Sequence, residues 1–171
     1  METWDAITSR RNVRQFANRP IDDEVLDRIL EAGRRAPSGR NWQPWDFVVV
    51  TDGAELRALS DVSPGAFHVA NSAAAIALVI EDFDDPGQLY RARFDLGQAT
   101  MAMMIAAADR GVGSGHAGVQ DQAKAREVLG LPEDRRVGIL IDLGYPAERP
   151  LTPIEHPDRR PFDEVVHRGR W

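Results

Sequence analysis

The residues best equipped for chemistry fall into a few short stretches. Arg10-Arg11-Asn12-Val13-Arg14 places three guanidinium groups and a carboxamide within five positions. Arginine forks match the oxygens of phosphate and carboxylate groups. A second basic cluster, Arg159, Arg160, His167, Arg168 and Arg170, lies at the other end. The chain between them is rich in acid, including Glu81-Asp82-Phe83-Asp84-Asp85. Folded together, the two basic ends would form a local anion site; left apart, they are a solvated face and a frayed tail.

The loop Ala36-Pro37-Ser38-Gly39-Arg40-Asn41-Trp42-Gln43-Pro44-Trp45 offers a different chemistry. It holds a hydroxyl, two carboxamides, two indoles and a flexible glycine. Carboxamides present paired donors and acceptors that suit the edge of a planar heterocycle. Backbone freed at Gly39 can approach a ligand closely. The plainer alternative is a polar loop whose tryptophans plug the core. Trp45, next to a strand, is expected to do so.

Gly113-Ser114-Gly115-His116-Ala117-Gly118 matches the dinucleotide fingerprint GxGxxG. That motif needs a strand before it and a helix on its third glycine. Here a long helix precedes it, so a glycine-rich turn that can still line a ligand is the expectation. The histidines His68, His116, His156 and His167 lack metal-site spacing, and no metal is expected. His156 and His167 read as surface or tail residues. Ser38 and Ser114 lack the GxSxG elbow. The pairs Asp22-Asp23 and Asp84-Asp85 fit caps and turns better than acid–base work.

These residues sit on a chain of 171 residues with no cysteine and a net charge of −6. Thiolate chemistry and disulfides are therefore excluded. Non-specific nucleic-acid binding is disfavoured. No apolar run is long enough to span a bilayer, and Met1 to Asp5 is acidic rather than a basic leader. A cytoplasmic single domain is expected.

Hydrophobic spacing supplies the scaffold. Helices are expected over Thr3 to Arg10, capped by Thr3 with Trp4, Ile7 and Ala6 inward, and from Asp22 or Asp23 to the residues before Pro37. Further helices are expected at Ala54 to Leu59, Leu89 to Arg110 and Gln120 to Leu129. Strands are expected at Phe47 to Val50, Ala73 to Ile80 and Arg136 to Leu143. Ser63-Pro64-Gly65 and Asp84-Asp85-Pro86-Gly87 read as turns. Ala99 to Ala108 is apolar nearly all round, so that helix is either central or faces a second subunit. The prolines after Tyr145 imply an extended arm over residues 146–171. The irregular alternation of elements points to α+β.

Several stretches, in order, resemble the nitroreductase family of flavin enzymes. They are Ser9 to Phe16, Ala36 to Phe47, Leu96 to Gly113, Leu129-Gly130-Leu131-Pro132, Leu143-Gly144-Tyr145-Pro146 and Arg159 to Val166. The resemblance implies a mostly antiparallel or mixed sheet flanked by helices in an intertwined homodimer. FMN would lie non-covalently at the dimer interface. By position, Arg10, Arg11, Asn12 and Arg14 would hold its phosphate, joined by Arg159. Pro37, Ser38, Gly39, Asn41 and Gln43 would reach the flavin from the partner subunit. His116, Ala117 and Gly118 would line the ring. Asn12 stands where many relatives have serine. The spans from Val50 to Asn71 and from Asp82 to Gln88 leave no room for the lid that many relatives carry.

The activity so implied is ping-pong hydride transfer. NADH or NADPH would reduce FMN, and a nitroaromatic, quinone or similar acceptor would then be reduced. The cofactor carries the chemistry, so no side chain need act as catalytic nucleophile. The alternatives are a flavin-processing or dehalogenating relative, since Ala36-Pro37-Ser38-Gly39 also resembles iodotyrosine deiodinases, or a non-enzymatic flavin sensor. A nicotinamide-binding Rossmann protein would require strand structure before Gly113.

Overall fold

The computed structural model describes residues 1–171. Its centre is a four-stranded sheet of order β1-β2-β4-β3, antiparallel throughout: β1 (Asp46–Val50), β2 (Ala74–Glu81), β3 (Gly113–Ala117) and β4 (Arg135–Gly144). Antiparallel neighbours and the absence of a βαβ unit exclude the Rossmann reading. The helices are α1 (Thr3–Ser9), α2 (Asp23–Arg34), α3 (Gly53–Ser60), α4 (Pro86–Asp109), α5 (Gln122–Leu129) and α6 (Phe162–Val165).

Strand β2 explains why its sequence is apolar without interruption. Ile76, Leu78 and Ile80 enter the core shared with α2 and α4. Ala75, Ala77 and Val79 enter a second core under α3 and the 3-10 segment Pro64–Asn71. A strand covered on both faces needs no polar alternation. Each fully buried aliphatic side chain here contributes about 1.5–3 kcal/mol relative to exposure.

Helix α4 is the central strut. Met103 and Met104 face inward, and Met103 fills the space left by Gly33 of α2, where a Cβ would collide with it. Tyr90, Phe94 and Met101 remain on its outer face, exposed. One chain therefore covers only part of this apolar helix. No helix is long and apolar enough to cross a membrane.

Several local expectations need correction, while the capping role expected of Asp85 is met. Trp4 and Ile7 point outward, at 71% and 43% exposure, whereas Ala6 is buried as expected, together with Ser9. Thr3 is the first helical residue rather than the cap. Ser63 caps a 3-10 helix through Gly65 N–H, and Asp85 caps α4 through Gly87 N–H. In both places the proline occupies the first helical turn, where its missing N–H has no cost. Gly130, at φ 63°, ends α5 in the left-handed conformation that glycine tolerates.

Candidate functional site

The glycine-rich stretch at 113–117 is a strand, not a turn. Its glycines are explained by what lies across the sheet end. A Cβ on Gly113 would come within 2.7 Å of Val13 Cγ2, and one on Gly144 within 2.7 Å of Phe16 Cδ1. At Gly115 it would lie 2.7 Å from Asp142 Oδ1 and 2.9 Å from the Val13 carbonyl oxygen. The missing side chains let the arginine-bearing segment lie directly on the sheet.

That segment is stitched down by backbone. Val13 N–H donates to the Ser114 carbonyl at 2.9 Å, and Ala17 N–H to the Tyr145 carbonyl at 2.8 Å. Ala147 N–H returns a bond to the Gln15 carbonyl at 3.0 Å. Val13 is buried against Ala108 and Leu151, which leaves its neighbours Asn12 and Arg14 exposed. Arg10 Nη1 donates to Asn12 Oδ1 at 3.4 Å. Arg11 Nη2 donates to the Arg149 carbonyl at 2.9 Å, while its Nη1 is buried without a partner. Burial, reinforced by the nearby Arg149 charge, lowers the Arg11 pKa. A cleft of about 180 Å³ lies among Arg11, Asn12, Arg14, Gln15, Pro146 and Glu148.

His116 of β3 is exposed beside this edge, and Gly118 follows it at the surface. Ala117 is 4% exposed and packs in the second core, so only its backbone could meet a ligand. Arg159 is not brought to the segment. It lies in the exposed part of the arm, where its Nη1 donates to the Asp158 carbonyl. The arm touches the arginine region earlier, through Arg149 and Leu151.

The carboxamide loop forms a separate feature. Arg40, Asn41 and Gln43 all have left-handed backbone, at φ 55°, 57° and 51°. Such residues cost of order 1–3 kcal/mol each and persist only when their surroundings hold them. Gln43 N–H donates to Ser38 Oγ at 2.9 Å, and Gln43 Nε2 to the Asn41 carbonyl at 3.1 Å. Gly39 N–H points at both Asp95 oxygens, at 3.3 and 3.2 Å. Asp95, 3% exposed, also accepts from Gln98 Nε2. Asp95 is thus the anchor of the loop. The sequence did not mark it, since Asp95 precedes the apolar stretch Ala99 to Ala108 and has Arg91, Arg93 and Gln98 as neighbours on α4.

A groove of about 1130 Å³ opens between this loop and α4. Pro37, Ser38, Gly39, Arg40 and Trp42 line one side, and Tyr90, Arg91 and Phe94 the other. Gln43 faces an adjoining hollow with Trp45 and Phe47. Trp45 is buried as expected and stacks on Phe47, whereas Trp42 is exposed and leans on Phe83. No residue lines both this groove and the arginine cleft. Within one chain, the two sets of candidate residues are not brought together.

A buried pair completes the region. His68 Nδ1 lies 2.8 Å from Asp142 Oδ2, with the side chains 2% and 0% exposed. Burial raises the Asp142 pKa, and the adjacent His68 draws it partly back. The two residues are 74 positions apart, and nothing local in the sequence links them.

The profile of the nitroreductase family matches residues 7–78 and 64–145. A provisionally named NADH dehydrogenase/NAD(P)H nitroreductase of Archaeoglobus fulgidus is 34% identical, over 99% of each chain. An NADH dehydrogenase of Thermus thermophilus is 30% identical, over 97% of this chain and 95% of its own. Among solved structures, the NADPH:FMN oxidoreductase of Vibrio harveyi complexed with NAD+ superposes with a TM-score of 0.83 at 26% identity. That match covers 97% of this chain and 76% of the Vibrio chain. The ordered motifs, the antiparallel α+β fold and these likenesses agree: the chain belongs to the nitroreductase family.

Proposed function

We propose that this chain is an FMN-dependent NAD(P)H oxidoreductase whose flavin sites are completed by a second copy of itself. Each chain would act as a single FMN-binding domain with residues 146–171 as its arm. The observation that carries the reading is the separation of two complementary half-sites. One chain offers an arginine edge at one place and a strained carboxamide loop beside an apolar groove at another. A closed dimer can bring unlike patches of two chains together twice over. The exposed outer face of α4, with Phe94 and Met101, supplies apolar surface for such contact.

The donor set fits a planar ring with a phosphate tail. Arg10, Asn12 and Arg14 present free donors, and the unpartnered Nη1 of Arg11 is a buried donor still lacking an acceptor. Arg10 and Arg14 would hold the phosphate, with Arg11 fixing the segment through Arg149. Arg159 would join only when the arm meets a second chain. Ser38, Gly39, Asn41 and Gln43 would orient the ring edge from the partner, with Pro37 shaping the approach. His116 and Gly118, with the backbone of Ala117, would border the ring beside β3. When bound, FMN supplies the electron transfer between NADH or NADPH and the acceptor. Trp42, Tyr90 and Phe94 would exclude water and stack flat acceptors such as nitroaromatics or quinones.

The test is direct. Purified protein should carry or bind FMN, migrate as a dimer, and bleach its flavin absorbance on anaerobic mixing with NADH or NADPH. Protein that binds no flavin ends the proposal. Flavin that binds but stays oxidised with both nucleotides makes the chain a flavin-binding protein rather than an enzyme.

A further inference from the structure

The His68–Asp142 pair has no part in the function proposed above, yet it lies directly under the arginine segment. Asp142 projects from β4 toward Gly115, whose missing side chain leaves room for its carboxylate. The Val13 carbonyl reaches the same spot from above. One carboxylate oxygen meets His68, and the other, Oδ1, is buried with no hydrogen-bond partner. An ionised group left half-satisfied in a dry interior is expensive and is normally retained for a reason.

The surroundings leave little else to neutralise it. Strand β2 places Ala75 opposite Asp142. The second core around the 3-10 segment is apolar, with Leu56, Leu59 and Val69. His116 on β3 is the further titratable group that acts on Asp142. From above, Arg11 is engaged with the Arg149 carbonyl, Arg10 is half-buried and Arg14 is exposed.

We propose that His68 and Asp142 are positioning residues that form a proton-exchanging support beneath the arginine segment, taking up a proton when an anion binds there. This rests on the proposed phosphate site at Arg10 and Arg14. Each proton added to the pair makes its net charge more positive by one. A phosphate on the segment above brings further negative charge close to it, which favours the protonated pair. By linkage, the protonated pair binds the anion more tightly. Removal of Asp142 from water provides the proton-binding tendency that an exposed carboxylate lacks.

The experiment uses apoprotein and three readouts. Calorimetric titration with FMN near pH 7.5, in buffers of different ionisation enthalpy, should show net proton uptake by the wild type. Titration with riboflavin, which has no phosphate, should show none. Between pH 6 and pH 8, wild-type FMN affinity should fall about tenfold relative to Asp142→Asn or His68→Gln, the limit for one linked proton being tenfold per pH unit. Absent proton uptake in the wild type overturns the inference even if neither variant folds. Equal uptake with riboflavin, or an unchanged pH dependence in both variants, also overturns it. FMN that fails to bind at any pH overturns the proposed cofactor site first, and this inference with it.

Discussion

On the arginine edge, residues 12–17 are tied to β3 and the chain after β4 by backbone hydrogen bonds, over glycines that admit them at van der Waals contact. In the carboxamide loop, three non-glycine residues hold left-handed backbone, restrained by two local turn hydrogen bonds, Asn41 N–H to the Ser38 carbonyl and Trp42 N–H to the Gly39 carbonyl, and by Ser38 Oγ, the Asn41 carbonyl and the Asp95 carboxylate. The first region is fastened along its length to the end of the sheet by backbone bridges. The second stores local strain against a few polar anchors. A ligand held by both would receive its charge neutralisation from a fixed base and its orientation from an adjustable loop.

Substitutions should separate the two regions. Gly115→Ala forces a Cβ against Asp142 and the Val13 backbone, so it should cost about 3 kcal/mol in thermal or denaturant unfolding and loosen the arginine segment. A variant that melts with the wild type would contradict the close-packing account of β3. Arg10→Ala with Arg14→Ala should leave the melting temperature nearly unchanged but weaken FMN binding about 100-fold or more, since each charged hydrogen bond is worth about 1.5–3 kcal/mol. Unchanged FMN affinity would remove the phosphate from this edge.

Asp95→Ala removes the acceptor for Gly39 N–H and Gln98, and should cost about 1–2 kcal/mol in ordering the loop. Its signature is roughly tenfold weaker flavin binding with an unperturbed arginine edge, visible as unchanged amide exchange at Val13 and Ala17. The smallest effect belongs to surface charge. Arg34 and Arg35 hold Glu31 down to about 2 from 4.5 through side-chain hydrogen bonds. Its folded pKa is depressed, so its contribution is present above the unfolded value and is lost as pH falls through about 2. Because the pair sits at the surface, high salt should erase that contribution, and Glu31→Gln should barely move the melting temperature.

The contrast between regions also tells what a sequence can disclose. Strands β2 and β4 and helices α2 and α4 were legible because their apolar spacing follows the core they enter. Strand β3 was not, since its glycines and His116 oppose a strand assignment. Pairing with β4 and the passage of Val13 over its face override that propensity. Trp4 and Ile7 have the spacing of a buried face but no partner within the chain. The candidate residues themselves were legible as types in motifs. Their separation into two half-sites was implied only by the family resemblance, because it depends on which edge and groove each stretch reaches. Asp95 and the His68–Asp142 pair were hidden for the same reason, as their meaning lies in contacts across long sequence distances.

Subunit mixing tests the central claim, that a flavin site is built from the arginine edge of one chain and the loop of another. A chain carrying Arg10→Ala and Arg14→Ala is unfolded and refolded together with a chain carrying Asp95→Ala and Ser38→Ala, and bound FMN is counted at a concentration where neither variant alone retains it. Random reassociation places both lesions in one site of each mixed dimer and leaves the other intact, so FMN should occupy about one quarter of all sites. If mixing restores no FMN binding although mixed dimers form, each site lies within a single chain and the two-chain account is wrong.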